Sequence, residues 1–466
     1  MSTPHRLLPI ALLPLCPAQA PSPELAEVAA AYAAKVTASA LFVSGRTLDS
    51  VLAEELAPTR PLEALIRPLL RFEVDQERGT VTCRLGAATA MAARTGNLGC
   101  TLVRADAPLA TLQARAAPGL ADLRPDPMTI DWPLGDRLPS TAPAGIDVDA
   151  VRRAVAAAFV EPAAGKPVHT RAVVVLHQDR LIAEQYAPGL TAATPLPGWS
   201  MTKTLTHALL GVRVQQGKLD VDAPAPVAAW RDDERRTVRF SDLLTMTAGL
   251  AWNENYDDPA SEALRMLFRS SDHAAVYAAQ PRQAAPGSSF RYASGSTNLL
   301  CALLRRTFAD DREYWAFPRL CLFAPLGMRT AVLETDPSGT FVGSSYGFAC
   351  ARDWARLGLL YANDGRFGDR QILPPGWVAA ARQPHAASSG RYGRHVWLHG
   401  DPDGDGPRQR EWPDLPADVF SMDGHEGQSC VVFPRERLVV VRLGCTKGGG
   451  FDLHTLLRVV FDAVAK

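Results

Sequence analysis

The strongest constraint on the fold is where the β-rich segments fall. Thr170–Ala183 reads T-R-A-V-V-V-L-H-Q-D-R-L-I-A, two apolar runs around a polar tip at His177–Arg180, and predicts a hairpin. Comparable segments return near the end of the chain, at Ser429–Phe433 and Leu438–Leu443, before an amphipathic closing helix over Leu453–Ala465. A helix is expected over Asp149–Phe159, a long one after Trp199, and several more between. Strands first, helices in the middle, and strands plus a helix last is the order of an antiparallel sheet whose two ends meet around an inserted helical lobe. Residues 146–466 are therefore expected to form one α+β domain: an antiparallel sheet flanked by helices, an all-helical lobe, and a cleft between them.

The segment before this domain reads differently. Glu24–Lys35 is Ala-rich with charged ends and predicts a helix, Leu41-Phe42-Val43 is an apolar patch, and Leu48–Leu56 has a second helical pattern. Leu70–Leu85 alternates apolar and polar residues on both sides of a turn, as a half-buried hairpin does. Residues 21–115 thus read as a small α+β leader packed on the larger domain. Residues 116–145, with prolines at 118, 125, 127, 133, 139 and 143, read as a linker. Residues 1–20 carry one Arg, an apolar run Leu7–Leu15 and a small-residue A-Q-A, the layout of a short secretory signal. Export to the periplasm or medium is the expectation, with a cytoplasmic location as the alternative. No later stretch approaches the ~18 uninterrupted apolar residues of a membrane span.

Lys+Arg and Asp+Glu are both 49, a balance without the basic excess of a nucleic-acid binder, so no nucleic-acid partner is expected. The eight cysteines show neither C-x-x-C spacing nor a paired Cys/His tract, so no metal site, cofactor or disulfide framework is indicated. Oligomeric state is not legible.

One pair of residues carries chemistry. In P-G-W-S-M-T-K-T-L-T-H-A-L-L-G, Ser200 and Lys203 stand at i, i+3 just before an apolar periodic run, which puts them on one side of a first helical turn. A serine hydroxyl is a weak nucleophile unless a partly neutral amine takes its proton, and helix N-terminal amides suit a developing oxyanion. The plain alternative is a Ser cap followed by a solvent lysine. With 22 serines and six lysines, roughly 0.3 such pairs are expected by chance, so the pair needs its context.

The context is supplied by S-M-T-K-T-L-T-H-A-L-L-G-V-R-V-Q-Q-G-K-L, which resembles the S-x-x-K helix of the serine β-lactamase and penicillin-binding protein superfamily. Val238–Trp252, Y-A-S-G-S-T-N-L-L at Tyr292–Leu300, Pro325–Thr330 and Ala351–Gly365 agree with it in order. The pattern is most similar to the class C-like branch that includes esterases and 6-aminohexanoate-dimer hydrolases, because its second element is Y-x-S rather than Y-x-N. The resemblance implies a serine hydrolase that cleaves a small ester or linear amide through an acyl-enzyme on Ser200, with Lys203 as base and Tyr292 as proton relay. A phenol beside a cationic lysine is expected to give up its proton more easily. Ser294, in the family's Asn position, is expected to bond the Lys203 amine or the substrate amide. The third element, usually Lys/His-x-Gly, matches His425-Glu426-Gly427 and makes the Gln428 amide the second oxyanion donor beside that of Ser200. Tyr256 is expected over the cleft, and Ser294, His425, Gly427 and Tyr256 together are the expected substrate contacts.

Alternatives remain at this point. A β-lactamase, a D-amino-acid peptidase, or a non-hydrolytic penicillin-binding sensor would carry the same motifs. His425, nearly neutral at pH 7 where K-T-G has a permanent cation, favours esters or linear amides over β-lactams. Gly343-Ser344-Ser345-Tyr346-Gly347 spells the nucleophile elbow of a different fold, with only Thr340-Phe341-Val342 as its strand. Thr446-Lys447-Gly448-Gly449 scrambles K-T-G and is expected in a turn one strand later. Asp401–Gly406 begins like a calcium loop but has Trp412 where a bidentate Glu is needed, and reads as an acidic turn.

Overall fold

The structure is a computed structural model, described for residues 21–59, 61–116, 126–139, 145–163, 165–399 and 410–464. The signal-like start and the Asp401–Gly406 segment lie outside the described residues.

The body is a six-stranded antiparallel sheet in the order Trp397–Leu398, Phe420–Gly424, Gln428–Phe433, Leu438–Gly444, Thr170–His177, Arg180–Tyr186. Its first and last strands in sequence are neighbours, with Val440 opposite Val175 and Val441 opposite Val174. Both faces are covered, so the strands read as apolar runs rather than as alternation. Val173, Val175, Val431 and Val440 pack on the helices Val148–Ala157 and Leu453–Val464. Val174, Leu176, Val432 and Val441 point the other way, into the main core, where the helix Ala351–Ala362 lies on the sheet. Each such aliphatic side chain, removed from water, contributes about 1.5–3 kcal/mol. The fold is α+β with antiparallel sheets, and helices such as Glu262–Arg269 and Ser294–Arg305 make up the lobe beyond the sheet.

The leader is larger than the hairpin read from its sequence. Arg71–Asp75 and Thr80–Leu85 continue into Ala88–Arg94 and Cys100–Leu102, giving a four-stranded antiparallel sheet in sequential order. Its first helix, Pro23–Phe42, begins at Ser22, whose hydroxyl accepts from the Leu25 amide, and runs seven residues past the expected end at Lys35. Lys35 is not a terminal charge: it is 3% exposed and paired with Glu334 of the body. Ala26, Ala30, Ala33, Ala34 and Ala38 are buried on the helix, and their small side chains allow the sheet to approach closely. This helix is long and apolar enough to cross a membrane by length and composition, but 67% of that stretch is buried inside the fold.

Candidate active site

Ser200 sits in a single 3-10 turn, Trp199–Met201, which runs directly into the helix Thr202–Gln215. The turn is entered through Trp199 at φ 46°, a left-handed backbone position that a bulky residue adopts only when its surroundings enforce it. The enforcement is visible on both sides. A Cβ at Gly198 would lie 2.2 Å from the Trp354 ring, and a Cβ at Gly424 would lie 2.1 Å from the Gly198 carbonyl, so neither glycine admits a side chain. No side-chain cap is made at the start of the helix, which leaves the Ser200 hydroxyl uncommitted to capping.

Lys203 is 1% exposed, not the solvent lysine of the plain alternative. Its Nζ donates to Ser200 Oγ (3.0 Å), Ser294 Oγ (3.1 Å) and the Ser344 carbonyl (3.0 Å). Burial pulls its pKa down to about 8, against an opposing pull from Glu254. A neutral amine keeps two N–H bonds and one lone pair. Ser294 and the Ser344 carbonyl accept the two N–H bonds, which leaves the lone pair for the Ser200 proton.

Tyr292 closes the other side of Ser200, its ring centroid 4.8 Å from Lys203 Nζ and stacked on Trp397 at 5.5 Å. The expected easing of its ionisation by the nearby lysine is not found. Burial pushes the phenol well above its ordinary pKa, only partly offset by hydrogen bonding with Ser200. Desolvation dominates, and the nearby carboxylates of Glu254 and Asp423 push the same way. The phenol therefore stays protonated near pH 7.

Ser294, fully buried, uses its hydroxyl on Lys203 and on Glu254, so of its two expected partners the structure has the amine. Glu254 was missed by the motif reading. Its carboxylate accepts from the Trp252 indole, the Ser294 hydroxyl, the Ser294 amide (2.9 Å) and the Tyr256 hydroxyl (2.8 Å). Tyr256 is 39% exposed, with its hydroxyl turned inward; burial, then Glu254, pushes its pKa up. Its ring lies 5.8 Å from that of His425, which lies 5.8 Å from Trp199 on its other side.

His425-Glu426-Gly427 forms a tight turn before the strand Gln428–Phe433. The Gln428 side chain does not face the cleft: its amide donates to the carbonyls of His425 (3.0 Å) and Gly444 (2.7 Å) and accepts from the Gly444 amide (3.0 Å). Gly427 has φ 79°, and a Cβ there would lie 2.6 Å from Arg442 Nη1. The buried Arg442 guanidinium donates to the carbonyls of Gly427 (2.9 Å) and Val168 (2.7 Å) and to two threonine hydroxyls. The third element is thus held from behind by side chains that no motif contains.

The G-x-S-x-G letters have a packing explanation. Cβ atoms at Gly343 and Gly347 would lie 2.2 Å and 2.7 Å from the hydroxyls of Thr206 and Thr202, so the glycines let this segment lie flat on the Ser200 helix. Ser344 and Ser345 are buried and bonded to each other at 2.8 Å. Thr446–Gly449 lies in a turn after its strand; the Thr446 amide donates to the Glu426 carbonyl (2.9 Å), and Lys447 donates to the Ala57 carbonyl of the leader (2.8 Å).

The cleft holding Ser200, Tyr292, Gln428 and His425 has a volume of about 980 Å3. The Ser200 hydroxyl, the buried Lys203 amine of lowered pKa and the protonated Tyr292 phenol thus meet around one cleft. The family described as Beta-lactamase matches residues 155–465, and the chain belongs to it. The chain is 26% identical over 302 residues to a 6-aminohexanoate-dimer hydrolase of Paenarthrobacter ureafaciens, covering 59% of this chain and 72% of that one. In fold it is similar to a penicillin-binding protein homologue of Caulobacter crescentus (TM-score 0.52, 17% identity, 70% of this chain and 98% of the other). A family VIII carboxylesterase is also similar (TM-score 0.52, 16% identity, 69% and 99%). The chain is a hydrolase of the β-lactamase superfamily.

Proposed function

We propose that this hydrolase cleaves a small ester or linear amide through an acyl-enzyme on Ser200. The observation that carries the reading is the buried Lys203 amine, whose two N–H bonds have acceptors and whose lone pair is left for Ser200. Lys203 takes the hydroxyl proton as Ser200 Oγ attacks the carbonyl carbon. The oxyanion is received by the backbone amides of Ser200 and Gln428. Tyr292, protonated at neutral pH, passes a proton to the departing alkoxide or amine. Water then attacks the acyl-serine with Lys203 and Tyr292 reversing their parts. His425 and Tyr256 stand at the cleft mouth as substrate contacts. The half-exposed His425 supplies no permanent cation, which favours an ester or linear amide over a substrate that must anchor a carboxylate. The apolar start of the chain supports export, which N-terminal sequencing of secreted protein would test.

A fluorophosphonate probe should label the wild-type protein on Ser200 and leave Ser200→Ala unlabelled; full-rate labelling of that variant would overturn the assignment. Turnover should be highest on p-nitrophenyl esters or a 6-aminohexanoate linear dimer. Nitrocefin turnover exceeding both by ~100-fold, about 2.7 kcal/mol, would make the protein a β-lactamase instead. Labelling without steady product release would make it a sensor.

A further inference from the structure

The cleft does not end at the reacting groups. It extends along the leader, where Leu25, Val28, Ala29 and Tyr32 line it from the first helix, facing Leu267 and Phe268 of the lobe. Positions 25, 28, 29 and 32 are i, i+3, i+4 and i+7, one stripe of that helix, while its buried alanines at 26, 30, 33 and 34 include a second face set on the leader sheet. The stripe is anchored at the reaction end: the Tyr32 phenol lies in the field of Glu426, the central residue of the third element, and its ring meets Phe268 edge-on at 5.6 Å. Behind it, Lys35 is buried against Glu334 and lies 4.0 Å above the Tyr346 ring. This wall stands before residue 155, outside the segment that matches the family.

We infer that the leader is the specificity wall of the active site, and that the substrate carries an extended apolar chain which lies along the Leu25–Tyr32 stripe while its carbonyl reaches Ser200. The inference rests on the acyl-serine reading and adds the substrate class: a medium-chain or longer aliphatic ester or amide. Three observations favour it. The cavity volume, about 980 Å3, is near the top of the roughly 300–1,000 Å3 typical of small-molecule sites, far more than a short acyl group fills. The apolar stripe is continued on the leader by Leu56, Ile66 and Leu70, with Glu55, Glu63 and Arg67 as the charged members of that lining. The stripe faces the cavity without a charged side chain, and a solvated helix face would carry one.

The test uses the full chain and two series of substrates: p-nitrophenyl esters from acetyl to dodecanoyl, and acetate esters of alcohols of the same lengths. Whichever series rises shows whether the chain belongs to the acyl or the alcohol side. At about twofold per methylene, half of the usual hydrocarbon transfer value, kcat/KM should rise about 60-fold over six methylenes. Ala29→Trp places a large ring in the stripe and should cut the octanoyl-to-acetyl ratio at least tenfold; Ala29→Leu should cut it less. The rate of fluorophosphonate labelling of Ser200 reports whether each variant is folded. A flat dependence on length in both series, with Ser200 still labelled, overturns the inference and leaves the acyl-serine reading standing. So does a rise that folded Ala29→Trp and Ala29→Leu leave intact. Absence of both labelling and turnover in the wild type overturns the two together.

Discussion

The two walls of the cleft are built by opposite means. On the wall that carries Ser200, polar groups sit in a closed network in which Lys203, Ser294 and Glu254 each find specific partners at fixed distances. On the leader wall the helix stripe is apolar and shape-bound, with Glu55, Glu63 and Arg67 lining the cavity beside it, and a buried ion pair, Lys35–Glu334, stands behind. The difference separates two tasks. Chemistry needs directional groups whose displacement by a fraction of an ångström matters; holding a hydrocarbon needs area, which tolerates exchange of one apolar side chain for another. Substitutions on the first wall should therefore change rate and pH dependence, and those behind the second should change stability.

The largest break is on the chemical wall: Lys203→Met removes the proposed base and should lower kcat/KM at least about 10^3-fold, with little change in thermal unfolding. On the other wall, Lys35→Met leaves the fully buried Glu334 carboxylate without its cation and should cost about 3–5 kcal/mol in denaturant unfolding, while adding Glu334→Gln recovers much of it. Activity lost in Lys35→Met without lost stability would erase the distinction between the walls. A finer test uses pH. The proposed base, Lys203, must be neutral to act and burial lowers its pKa to about 8, so kcat/KM should rise with pH through that value. Glu254 holds that pKa up, so Glu254→Gln should move the rise to lower pH. Tyr256→Phe loses one hydrogen bond to Glu254 and should cost about 1 kcal/mol, near fivefold in rate.

How much of this was legible follows from how each feature is encoded. The strands Thr170–His177 and Leu438–Gly444 announced themselves as β-branched runs between turns. Ala88–Arg94 did not, because A-T-A-M-A-A-R has one β-branched residue and takes its strand form from its neighbours on the leader sheet. Ser200 and Lys203 were legible because one helical turn fixes their relation. Glu254 was not: its four donors converge from residues 252, 256 and 294, and nothing in A-W-N-E-N-Y signals the meeting. Lys35 read as a helix-end charge because its partner, Glu334, is remote in sequence. The Leu25–Tyr32 stripe was not legible within the Ala-rich helix, since a stripe facing a cavity has the same periodicity as one facing a sheet.

The shared cavity also joins two equilibria. A molecule that touches both walls binds only the state in which the leader is docked, so its binding free energy is added to docking by mass action, about 2.7 kcal/mol at a hundredfold excess over Kd. Occupancy and docking are then reciprocal: each ligand that spans the walls raises the melting temperature, and a weakening of the Lys35–Glu334 joint raises the ligand's apparent Kd as far as it lowers the docked fraction. The leader in this sense is a part of the enzyme whose hold on the rest is tightened by what spans the cleft.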